Sequence, residues 1–156
     1  MSVEPDASAG AGPARVAPRP FLLTGGAIVG TIALFSVVVH LLTTGAFGYG
    51  FFVDELYYLA AANHLAWGFV DFPPLFPALI WLVRHTLGDS LMAIRLVPTL
   101  ASAGLILLTG RMARELGGGR WAQALAAIAV LIAPIYLVDF SMTTMNALEP
   151  LFWMGC

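Results

Sequence analysis

The sequence predicts an all-α, polytopic membrane helical bundle, and three observations carry that expectation. Of its 156 residues, 60% are hydrophobic and 10% charged, with mean hydropathy +0.88; soluble domains run at about 45–50% apolar and about 25% charged. The stretch from Phe21 to about Thr44 contains neither acid nor base, and about 24 residues at ~1.5 Å each cover a hydrocarbon core of about 30 Å. Acids and arginines fall in alternate loops between the apolar runs, the sorting expected of a chain that crosses and recrosses a bilayer.

Residues 1–20, rich in Pro, Ala, Gly and Ser, bury too little to fold and read as a disordered cytoplasmic tail. Residues 21–44 form the first expected span, with Gly26 and Gly30 as a small-xxx-small pair that favours close helix packing. Gly45 to Gly50 ends it. Asp54 then opens an amphipathic surface helix to about Trp67, with Tyr58, Ala61, Ala62 and Leu65 at i, i+3, i+4, i+7 on one face. Its tyrosines and Trp67 suit the headgroup level, where amphipathic rings collect. Pro73-Pro74 starts a second surface helix over about 73–87, and Gly88 stops it. Residues 90–111 and 121–138 are the second and third expected spans, and a fourth begins at Glu149-Pro150. About seven residues after Glu149 are too few for a span, so the chain reads as the amino-terminal part of a longer transmembrane domain, inactive alone.

With Arg15, Arg19, Arg111, Arg114 and Arg120 on the cytoplasmic side, Asp54, Glu55, Asp71, Asp139 and Glu149 fall on the other. The net charge of −2 and the absence of a basic block exclude nucleic acid as a partner. Cys156 is the only cysteine, so neither an internal disulfide nor a cysteine metal site is available. No HExxH, CxxC, Walker loop, GxGxxG or GxSxG is present.

Adjacent carboxylates are costly in hydrocarbon, which places Asp54-Glu55 where a span meets water. There a carboxylate can take a proton from an acceptor hydroxyl or amine, and Asp54 with Asp71 or Glu149 can hold a divalent cation against a phosphate leaving group. Arg84 and Arg95, on the same side, have the guanidinium fork that matches phosphate, and snorkelling to lipid phosphates suits them equally. His64 and His85 lack a partner at i+4 and read as interfacial polar residues, whereas His40 reads as bonding another helix or water.

From Tyr49 to Trp153 the order of motifs resembles the start of a C-type-fold membrane glycosyltransferase. The motifs are Asp54-Glu55 with Tyr57-Tyr58, Trp67 to Leu75 with its Asp71-Phe72-Pro73-Pro74, Ile94-Arg95-Leu96, and Asn146 to Pro150. The group is bacterial family 39, related to protein O-mannosyltransferases and aminoarabinose lipid A transferases. The resemblance implies transfer of a sugar from a polyprenyl-phosphate donor to a protein, lipid or glycan acceptor at the outer face of the bacterial plasma membrane. It also implies Asp54 as the catalytic or metal-associated acid, Glu55 as its supporting neighbour, Asp71 and Glu149 as further site acids, and Arg95 as a site arginine near the outer end of a span. Phe72 stands where relatives often carry Lys or His, and Glu149 where Asp is common. Two other classes remain beside the enzyme: a transporter component, whose charges would lie at mid-span, and a non-catalytic scaffold anchored by its surface helices.

Overall fold

A computed structural model of the chain describes residues 25–46 and 50–156. The tail over 1–20 and the start of the first expected span at Phe21 lie outside the described residues. Among the described residues all regular structure is helical, so the all-α bundle stands. The described helices are α1 (Gly25–Ala46), α2 (Val53–Ala62), α3 (Leu75–Leu87), α4 (Leu91–Glu115), α5 (Arg120–Ile132), α6 (Pro134–Asp139) and α7 (Glu149–Gly155), with a 3-10 turn at Met145–Ala147.

Helices α1 and α4 are long and apolar enough to cross a membrane. They pack along each other and against α5, with Val29, Ala33, Ile106 and Ala127 buried where the three meet. Lipid tails are as apolar as these side chains, so close packing and interhelical hydrogen bonds, rather than exclusion of water, hold such helices together. Gly110 supplies the close approach: a Cβ there would sit 2.6 Å from Val29 Cγ1. About two turns further along, Ser36 and Ser102 share a buried hydrogen bond of 2.7 Å. The expected contact of Gly30 is not made, since a Cβ at that position would meet nothing within 4 Å.

Local chemistry sets the ends. Ser90 caps α4, its hydroxyl accepting from the Ala93 N–H at 3.2 Å. Pro98 lies inside α4 and removes one ladder donor; next to it, the Thr99 hydroxyl donates to the Arg95 carbonyl at 2.8 Å. Gly88 closes α3 with φ 91°, a conformation that a side chain resists. The run expected as one helix over 121–138 is broken at Ala133, which is extended (φ −64°, ψ 121°). Pro134 causes the break, because its ring disfavours helical geometry in the residue before it and it has no N–H to continue the ladder.

Helix α2 ends at Ala62, short of Trp67, and Leu65 therefore leaves the apolar face. Arg84 Nη1 donates to the Leu59 carbonyl at 3.2 Å and to Asn63 Oδ1 at 2.7 Å. A cation thus takes up the carbonyl end of α2, where the helix dipole is negative. Trp67 is fully exposed in the loop beyond. Helices α2 and α3 pair, and Tyr58, Ala62, Phe72, Phe76 and Ile80 close against Ile94 of α4.

Candidate active site

The five residues Asp54 to Tyr58 divide between two faces of α2. Glu55, Tyr58 and Ala62 are buried, whereas Asp54 and Tyr57 are exposed. The 3.6-residue repeat requires this division, because i and i+3 share a face and i+1 does not.

Glu55 is fully buried, and its carboxylate accepts four hydrogen bonds. Arg95 donates from Nε at 2.8 Å and from Nη2 at 2.9 Å, the Phe52 N–H at 2.8 Å and the Thr143 N–H at 2.9 Å. Burial alone pushes the Glu55 carboxyl up, but the Arg95 hydrogen bonds, the two backbone N–H groups and the Arg95 charge together hold it below its ordinary value. Arg95 Nη2 also donates to the Gly50 carbonyl at 3.2 Å. On the next turn of the same face, Met145 packs against the apolar cluster that contains Tyr58. The segment from Thr143 to Met145 therefore lies along the inner face of α2.

The outer face carries the free acid. Asp54 makes no hydrogen bond among the described residues, and its carboxylate is exposed. Tyr57 donates to Asp71 Oδ2 at 3.0 Å, and its ring meets Phe72 edge-on at 5.4 Å. Asp71 raises the Tyr57 hydroxyl above its ordinary value by accepting that bond. Tyr58 is pushed up first by burial, and the Asp54 and Asp71 charges also raise it.

Glu149 begins α7 and is exposed, within hydrogen-bonding distance of Trp153 Nε1 at 3.4 Å. Its charge acts on Asp139, whose carboxyl is raised by partial burial and then by Glu149. Glu149 lines a cavity of about 490 Å³ between the start of α3 and α7, with Pro73, Phe76, Leu148, Phe152 and Trp153 among the walls. The cavity runs from Pro73 to Glu149, and its lining is mostly apolar.

Arg84 and Arg95 are both engaged inside the fold. Arg84 forms an ion pair with Asp89 in addition to its α2 contacts. Asp89, for its part, is held below its ordinary value by the Arg84 hydrogen bond. His40 is buried, with its ring edge-on to Phe140 at 6.4 Å and Nδ1 3.4 Å from Ser141 Oγ. His64 and His85 are exposed, and His85 stacks obliquely on Trp81. Among the described residues no three His, Cys, Asp or Glu side chains gather closely enough to hold a metal ion.

The pairing of Glu55 with Arg95, 40 positions apart, is not visible in local periodicity. One signal does point to it: an arginine inside an apolar run needs a carboxylate, and Glu55 stands in the first turn of α2 as Arg95 stands near the start of α4.

Residues 71–156, more than half of the chain, match the dolichyl-phosphate-mannose-protein mannosyltransferase family. The chain belongs to that family. It is accordingly a membrane protein of a glycosyltransferase class. Within the family match lie Asp71, Arg84, Arg95 and Glu149, whereas Asp54 and Glu55 precede it. Comparison with curated proteins and with solved structures gives no match.

Proposed function

We propose that the chain belongs to an enzyme that transfers a glycosyl group from a polyprenyl-phosphate donor to a protein, lipid or glycan acceptor, at the outer face of a bacterial plasma membrane. We place it with the family 39 enzymes and their lipid A relatives. The observation that carries the reading is the division of labour in the acidic pair: Glu55 is consumed by four donors, and Asp54 is left exposed on the face of α2 that carries Tyr57, itself hydrogen-bonded to Asp71.

Asp54 takes the proton of the acceptor hydroxyl as the acceptor oxygen bonds to the anomeric carbon, and the bond from that carbon to the phosphate oxygen breaks. The phosphate leaves on its lipid carrier with the bonding electrons. Asp71, oriented through one oxygen by Tyr57, binds sugar or acceptor hydroxyls with the other. The apolar cavity beside Glu149 offers a wall to the carrier's hydrocarbon. Arg111, Arg114 and Arg120 lie where α4 ends and α5 begins, at the opposite end of the bundle from Asp54, which supports an outward-facing site under the positive-inside bias.

The test is transfer of radiolabelled sugar from polyprenyl-phosphate carriers to candidate acceptors by the complete protein in membranes. Asp54→Asn should abolish transfer while membrane insertion persists. Undiminished turnover in that variant would remove the proposed base.

A further inference from the structure

A carboxylate has about four lone-pair positions, and in Glu55 each oxygen already accepts twice. Oε1 takes Arg95 Nε and the Thr143 N–H, and Oε2 takes Arg95 Nη2 and the Phe52 N–H. No position is left for an acceptor's proton or for a cation. The donors belong to three segments distant in the chain: the turn that opens α2, the first half of α4, and the stretch between α6 and the 3-10 turn. The Arg95 guanidinium, in turn, is tied to Glu55 and to the Gly50 carbonyl, with the residue 7% exposed.

We infer that Glu55 and Arg95 are positioning residues, which together fix where Asp54 stands relative to Glu149. Asp54 precedes Glu55 by one residue in the first turn of α2, so any displacement of the Glu55 carboxylate carries the Asp54 backbone with it. Thr143 precedes Glu149 by six residues, and only the 3-10 turn and Leu148 separate Thr144 from α7. One helical turn further on, Met145 of the same segment packs against the apolar cluster that contains Tyr58. The Thr143 hydrogen bond and the Met145 packing lie along one helix face and set the position of the segment that launches α7. This assigns to Arg95 the joining of two acidic loops, a role different from holding a donor phosphate, and it rests on the reading of Asp54 as the reacting acid.

Two measurements on the complete protein in membranes test it. In the first, Arg95→Lys and the isosteric Glu55→Gln are assayed for transfer. A misplaced base costs turnover, and a displacement of ~1 Å can cost ~100-fold. The expected result is a kcat lowered by about that factor with donor KM changed by less than about twofold. A large rise in donor KM with kcat retained would make Arg95 a direct donor ligand and overturn the inference. In the second, spin labels on Asp54→Cys and Glu149→Cys, in a background with Cys156 and every other native cysteine of the complete protein replaced by Ser, report the distance between the two loops by pulsed EPR. A narrow distribution with Glu55 and Arg95 intact should broaden in Arg95→Lys and in Glu55→Gln. An unchanged distribution in both variants refutes the positioning role whatever the activity. Full activity in Asp54→Asn together with a broadened distribution in the Glu55 and Arg95 variants would remove Asp54 as the reacting acid and leave the joint between the loops standing.

Discussion

The backbone N–H of Thr143 meets Glu55 Oε1 at 2.9 Å across 88 residues of sequence, and Arg95 closes the other side of the same carboxylate. Two loops that the chain order keeps apart are thereby held at one end of the bundle. The energetic weight of this joint can be measured.

Arg95→Met leaves the Glu55 carboxylate buried with its two backbone donors and no countercharge. Breaking one side of a buried ion pair costs about 3–5 kcal/mol, while replacing both members by apolar residues is often near neutral. Arg95→Met should therefore lower unfolding stability in detergent by about that amount, and the double replacement Glu55→Met with Arg95→Met should recover much of it. A loss below about 1 kcal/mol, the value of an exposed pair, would contradict the burial of this one.

Glu55 also gives the protein an acid-sensitive element. Its folded pKa lies below the ordinary value of 4.5, so the folded state binds its proton less readily than the unfolded chain. The resulting stability is fully present above that ordinary value and is lost as pH falls through the folded pKa. Thermal midpoints measured on the acid side of 4.5 should fall more steeply for the native sequence than for Glu55→Gln, which has no such proton to gain.

Two glycines in the bundle should respond in opposite ways to the same added methyl. At Gly110 the new Cβ meets Val29 at 2.6 Å, and overpacking of this kind costs about 1–3 kcal/mol. At Gly30 it meets nothing within 4 Å, and Gly to Ala in a helix gains up to about 1 kcal/mol. Unfolding of Gly110→Ala and Gly30→Ala in one detergent decides the matter, and Val29→Ala should rescue the first.

Ser36 and Ser102 provide a double-mutant cycle. Either single change to Ala leaves a buried hydroxyl without its partner, and hydrogen bonds between membrane helices average about 0.6 kcal/mol with a maximum near 1.7. The coupling energy of the pair should lie in that range, with the double Ala variant less destabilised than the sum of the two singles.

Much of the helical layout follows from apolar runs and punctuation: Ser90, Gly88, the Pro73-Pro74 pair and Glu149-Pro150 mark helix ends in the sequence and in the structure. Pro134 carried the same kind of signal, but the hydropathy of 121–138 conceals it, because a proline interrupts hydrogen bonds without interrupting apolar character. The inner face of α2 was legible from Tyr58 and Ala62 and mistaken at both ends. Leu65 fits the spacing but lies past the point where Arg84 and Asn63 close the helix. Glu55 fits it too, yet a carboxylate is placed on a buried face only when its partner is known, and Arg95 is 40 residues away. Gly110 gave no motif to read, since its partner is a valine on another helix rather than a second glycine at a fixed interval.

The alternation along α2 constrains how this part of the gene can change. An insertion or deletion of one residue between Gly50 and Asp54 would turn the following helix by roughly 100° relative to its entry. Asp54 or Leu56 would then be presented to the Arg95 guanidinium in place of Glu55, and the reacting carboxylate would either be trapped as a counterion or be carried away from the substrate. Point substitutions in the short approach to α2 can be absorbed one at a time; a change in its length cannot.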